Sequence, residues 1–195
     1  MADVRTKGAI YFEESPLARM LFSTTRFAWL WVIIRVWLGW QWIEASLHKI
    51  SSPDWVRTGV ALKGFWEHAI AVPAAPARPM ISFEWYRSFL QYLLSIGAYS
   101  WFGKLVAYGE LLVGIALVLG AFVGIAAFFG GVMNWNFMMA GSASTNPLLF
   151  VAAILVILAW RVAGYYGLDR VLLPALGTPW RPGKVFGTRG LPILA

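Results

Sequence analysis

In a chain that is otherwise apolar, the side chains able to do chemistry are few. Gln41, Glu44 and His48 are spaced i, i+3 and i+7, which sets them on one face of a helix, while Arg35 lies about 180° from Glu44 at 100° per residue. A carboxyl and an imidazole one turn apart can take up and release protons. Glu110 is a second carboxyl, and after it come 50 residues, 111–160, without one Asp, Glu, Lys, Arg or His. Asn134 and Asn136 offer neutral amides inside that run, and Trp42 and Trp135 offer flat aromatic walls. We expect Glu110 and Glu44 to be the proton-exchanging, catalytic groups, with His48, Asn134, Asn136, Trp42 and Trp135 lining a pocket for a flat redox ligand of the quinone type. Lys49, Arg57 and Lys104 are the cations placed to hold an anion. Arg35, on the helix face of Trp31, Leu38, Trp42 and Lys49, and Arg161 are expected as structural charges within spans. The competing reading is that Glu110 and the asparagines only glue helices together and that the tryptophans are packing groups or interfacial anchors.

The elements that must position these groups follow from composition. The 195 residues are 59% apolar and 13% charged, against roughly 25% charged in an ordinary soluble domain, which argues against a water-soluble monomer. As one helix the charge-free run would extend ~75 Å, more than twice the ~30 Å hydrocarbon core of a bilayer, so it must fold back on itself. We expect an all-α integral membrane four-helix bundle with spans at about 26–50, 104–120, 121–140 and 148–166. Gly120 marks the break between the second and third spans, and the AGSASTNP stretch (140–147) the loop between the third and fourth. The segment 51–103 is too long for a bare loop and reads as two amphipathic pieces, 54–71 and 82–97, around the Pro-rich VPAAPARP (72–79). Residues 1–25, with Arg5, Lys7, Glu13, Glu14 and Arg19, read as a polar tail rather than a signal peptide, and 171–195 as a basic tail.

Depth sharpens the site. Glu110 and Asn134 each lie six residues, about 9 Å, from the long-loop end of their spans, and Glu44 and His48 are at that same end of the first. The polar groups therefore converge under the long loop. Eight Lys or Arg fall in the tails and at their inner edges, Arg26 and Arg170 included, and six in the long loop and its flanks, a balance that favours cytoplasmic termini in an inner (cytoplasmic) membrane.

Exclusions are equally direct. The chain has no cysteine and two histidines, so thiolate chemistry, iron–sulfur clusters and covalent haem are excluded and no haem is expected. The net charge of +7 sits on membrane flanks, not on a basic domain of the kind that binds nucleic acid.

RVWLGWQWIEASLHKISSPDW (35–55), GELLVGIALVLG (109–120), GGVMNWNFMMAGSASTNP (130–147) and GYYGLDRVLLP (164–174) together resemble the DoxX/DoxD family of small four-helix membrane proteins, over about residues 26–175. The resemblance implies a bundle with Arg35 in the first span, Lys49 at its far end, Glu110 at the start of a Gly-rich second span, and Asn134 and Asn146 at later polar positions. It also implies a membrane subunit of a thiosulfate:quinone oxidoreductase, working with a second protein subunit. The expected activity is thus quinone-linked oxidoreduction in a lipid bilayer. The alternative is a non-catalytic accessory or assembly subunit of a larger respiratory or photosynthetic complex.

Overall fold

The computed structural model describes residues 14–178. Its helices are α1 (Pro16–Phe22), a 3-10 turn (Thr25–Phe27), α2 (Ala28–Ile50), α3 (Pro53–Val56), α4 (Val60–Ile70), α5 (Glu84–Ser95), α6 (Tyr99–Leu119), α7 (Val123–Met139), α8 (Asn146–Leu158), α9 (Trp160–Ala163) and α10 (Asp169–Leu176), with no strand among the described residues. The protein is all-α. One helix among these, α6, is long and apolar enough to cross a membrane; α1 and Thr25–Ile50, bent by 57°, pass the same test together. The apolar α7 and α8 are shorter.

Local chemistry sets the boundaries. Ser15 caps α1, its hydroxyl accepting from the Ala18 amide, with Pro16 in the first turn. Gly120 ends α6 in the left-handed conformation, φ 69°, and a Cβ there would lie 2.9 Å from the Arg35 guanidinium and from Gly167, so the turn needs glycine twice over. The helix containing Glu110 starts at Tyr99, five residues before the expected 104, because Gly97 and Ala98 rather than Lys104 mark the turn. The last expected span, 148–166, is broken: α8 stops at Leu158 and the chain re-enters as α9. Residues 16–22 of the expected polar tail form α1, whose Phe22 packs on the Trp31 ring. The tail residues 1–13 and 179–195 lie outside the described residues.

α2 and α6 run antiparallel in close contact, Arg35 reaching the Leu117 and Val118 carbonyls and Lys49 reaching Glu110. Midway, a Cβ on Gly39 would sit 2.8 Å from the Gly114 carbonyl oxygen, and one on Gly114 2.8 Å from that of Gly39. The two backbones touch directly. α7 packs on α8, Gly131 facing Ala153 and Phe150. Trp31, Leu38, Trp42, Leu117, Val123, Ala127, Ala153 and Val156 form the core between these four helices. A second core, including Leu62, Trp66, Tyr86, Leu90, Leu93 and Ala140, joins the linking helices α4 and α5 to the end of α7.

The molecule therefore has two ends. At the near end lie the α6–α7 turn, α9 and α10. Arg35 donates to three carbonyls there, those of Leu117, Val118 and Tyr166, and the Asp169 carboxylate accepts from the Phe122 and Val123 amides at the start of α7. Burial pushes the Asp169 carboxyl up, against those two amides and the charge of Arg35. At the far end lie the linker and the α7–α8 loop, where Gly141 abuts Met80.

Candidate functional site

The helix face that carries Trp31, Arg35, Leu38, Trp42 and Ser46 is the buried face of α2. Lys49, one turn beyond Ser46, continues it into the far end and needs a counter-charge there. Glu110, the sole acidic residue of α6, supplies it. The Lys49 Nζ lies 2.7 and 3.0 Å from the two Glu110 carboxylate oxygens, and the Glu110 side chain is fully buried while that of Lys49 is 17% exposed. The Trp55 ring centroid is 5.3 Å from the same ammonium and that of Phe137 5.8 Å, so aromatic faces cover the cation where carboxylate does not.

This pair forms the floor of a pocket of about 470 Å³, whose walls include Gln41, Trp42, Glu44, His48, Trp55, Phe65, Phe137 and Asn146. Glu44 and His48 are exposed, at its rim. Asn146 is held by its own loop, its amide donating to the Ser142 carbonyl. Trp42 lines the pocket, and its buried indole N–H has no acceptor among the described groups.

The remaining expected residues scatter. Asn134 is fully buried in α7, both polar atoms of its amide without partners among the described groups, but it does not line the pocket. Asn136 accepts from the Tyr86 hydroxyl and donates to the Val132 carbonyl, on the other side of α7. Trp135 points outward, 40% exposed, and stacks on the exposed Trp85. It is next to Asn134 in sequence, and the 100° step between them carries it off the interior. Lys49, Arg57 and Lys104 do not assemble as an anion site: Lys49 is paired to Glu110, and Arg57 and Lys104 are exposed and line no part of its pocket. Arg35 holds the near end. Arg161 falls in α9, after the break in the last expected span, 3.6 Å from Glu14.

Comparison of the chain with protein-family models, with curated proteins and with solved structures finds no match. The site therefore rests on its own geometry.

Sequence reading missed the Lys49–Glu110 contact, although the shared face of Arg35, Trp42 and Lys49 carried the signal. It also missed Asp169, the one acidic residue after Glu110, and Arg87, which is buried and held by Glu84 and the Ile81 carbonyl. Among the described residues no group of three or more His, Cys, Asp or Glu could hold a metal.

What the pocket can do is hold a flat polar head between aromatic walls. It then presents a buried cation–carboxylate pair to one side of that head and an exposed carboxyl and imidazole to the other.

Proposed function

We propose that the chain is a multi-pass protein of the inner (cytoplasmic) membrane, crossing it four times with α2, α6, α7 and α8 and keeping both termini in the cytoplasm. Its role is the membrane subunit of a quinone-linked oxidoreductase of the DoxX/DoxD kind, with a second subunit oxidising a donor such as thiosulfate.

Outward faces support the four spans. Trp29, Ile33 and Trp37 on α2, Leu105 and Leu112 on α6, Ile125 and Phe129 on α7, and Leu148, Val151 and Leu158 on α8 are all at least 40% exposed. Helices that are apolar inside and outside belong in hydrocarbon, since in water such a surface is an aggregation site. At 1.5 Å per residue, α2 and α6 extend about 34 and 31 Å, matching a core of ~30 Å, and α7 about 25 Å. α8 alone extends about 20 Å, and α9 adds the missing turn.

The single observation that carries the redox reading is the Lys49–Glu110 pair on the floor of a pocket with Glu44 and His48 at its rim. Its residues fit a quinone head: Trp42, Trp55, Phe65 and Phe137 are flat walls, and the Lys49 ammonium is a donor for a carbonyl oxygen. A bound quinone supplies two-electron, two-proton chemistry, with the electrons coming from the donor oxidised at the second subunit. Glu44 and His48 exchange protons with solvent. The Lys49–Glu110 pair holds a proton at the buried side, on the Lys49 ammonium.

Electron transfer from thiosulfate to a decyl-tailed quinone, measured in the purified complex, tests this. Glu110→Gln is expected to lower the rate by about 10²–10⁴-fold, the usual worth of a positioned acid–base group, and Glu44→Gln to slow it less. Full activity in both variants would overturn the site. The runner-up, an accessory subunit, draws on the exposed Trp85–Trp135 stack, an aromatic patch of the kind found at interfaces. Stoichiometric co-purification with partners and no redox activity would favour it.

A further inference from the structure

A second cavity, of about 630 Å³, lies against the first. Its walls are α4 and α5 above and the facing sides of α6 and α7 below, from Phe102 to Val113 and from Phe137 back to Phe129. Along α6 that is twelve residues, a rise of about 16 Å. No charged side chain lines it. Two of the polar groups in its wall are already used: the Tyr86 hydroxyl donates to Asn136, and the Asn136 amide donates to the Val132 carbonyl. The wall thus offers a ligand mainly apolar contact.

Two features tie this cleft to the polar pocket. Phe65 and Phe137 line both cavities. On α6 the adjacent residues Gly109 and Glu110 divide between them, Gly109 in the apolar wall and Glu110 in the polar floor. A third feature is the cleft's outer edge, formed by Leu105, Leu112, Phe129 and Val132, all apolar and at least 39% exposed. In the four-span reading that edge faces hydrocarbon, so the opening is lateral.

The geometry points to this cleft as the slot for the prenyl tail of the quinone whose head occupies the Lys49–Glu110 pocket. A tail entering sideways from the bilayer lies between α6 and α7 under α4 and α5, and the head passes Phe65 and Phe137 to reach the ion pair. This rests on the quinone reading above. It adds that the protein takes a membrane-dissolved amphiphile and discriminates by its tail, with the linker helices as the roof of the tail slot.

The test compares the affinities, in nanodiscs, of a tail-free dimethoxy-methyl benzoquinone, the same head with a decyl tail, and decanol. The decyl quinone is expected to bind at least tenfold more tightly than the tail-free one. A Cβ at Gly109 meets nothing closer than the Met133 sulfur at 4.0 Å, so Gly109→Leu places a side chain in the cleft and is expected to collapse that ratio towards one. Val132→Trp, from the opposite wall, should do the same and guards against a folding defect in the first variant. Equal affinity for tailed and tail-free quinones would overturn the tail slot and leave the head site standing. Equal binding of decanol and decyl quinone, with none of the tail-free head, would overturn the quinone as occupant. Binding of none of the three would overturn both readings.

Discussion

Lys49 and Glu110 are each costly to bury alone, and their contact through both carboxylate oxygens makes them one unit. Removing a single partner strands a buried charge, which typically costs 3–5 kcal/mol, whereas replacing both by apolar groups of similar volume is often neutral. Lys49→Met is therefore expected to lower stability by about 3–5 kcal/mol, and Lys49→Met with Glu110→Leu to recover most of it; unfolding in detergent measures both. Loss of the proposed quinone-linked activity in the stable double variant would then report chemistry rather than folding. Tyr86 is a simpler case. Burial pushes its phenol up to about 12, so its hydroxyl stays a donor to the Asn136 carbonyl at 3.0 Å. The neutral phenol's contribution is fully present below the unfolded value near 10 and is lost as pH rises through about 12. Tyr86→Phe should cost about 1 kcal/mol, a difference that denaturation at pH 8 shows and that shrinks above pH 11.

Between α2 and α6, backbone meets backbone at Gly39 and Gly114. A Cβ at Gly114 would lie 2.7 Å from the Ile43 side chain and 2.8 Å from the Gly39 carbonyl, and a carbonyl cannot move aside as a flexible side chain can. Gly114→Ala is expected to destabilise by about 1–3 kcal/mol through overpacking. Gly64→Ala on α4, where a Cβ meets nothing within 4 Å, should be neutral or stabilising by up to about 1 kcal/mol. Thermal unfolding of the two variants side by side gives the comparison. The same close approach sets the spacing at which Lys49 reaches Glu110, so helix contact and site geometry are one constraint. At the other end of α6, Arg35 and Asp169 hold opposite sides of the Gly120 turn. Arg35 satisfies carbonyls at the end of α6, and Asp169 satisfies amides at the start of α7. Each takes the partner that its charge suits.

The proposed four spans, with Gly120 and α1 at one end and the linker and the α7–α8 loop at the other, make a definite topology to test. The chain has no cysteine, so single-cysteine variants report it without background. Ala77→Cys in the linker and Ala143→Cys in the far loop are both exposed positions and should react with a membrane-impermeant maleimide added outside the cell. Leu17→Cys on α1, 62% exposed, should react only after the membrane is opened. Labelling of Ala77→Cys and Leu17→Cys from the same side would mean that α2 does not cross. In this arrangement the polar pocket and the apolar cleft sit in the half of the bundle under the linker helices, away from the α6–α7 turn.

Helix content and the Gly120 turn were legible because they depend on local chemistry: a charge-free run of 50 residues must fold back, and glycine is the residue that turns it. So was the grouping of Arg35, Trp42 and Lys49 on one side of α2, though not that this side is the buried one. The partner of that face was not legible. Periodicity places side chains around their own axis but does not say which neighbouring helix they meet, and the Lys49–Glu110 contact spans 61 positions. In α7 even the face was hidden. Phe128, Phe129 and Trp135 are exposed while Asn134 beside them is fully buried, and in a helix apolar all round the pattern of hydrophobicity has no direction. Packing against α8 and the bundle turned Asn134 inward and Trp135 outward. Sequence determined which groups needed burial and which residue turned the chain; tertiary packing alone decided which of those groups met.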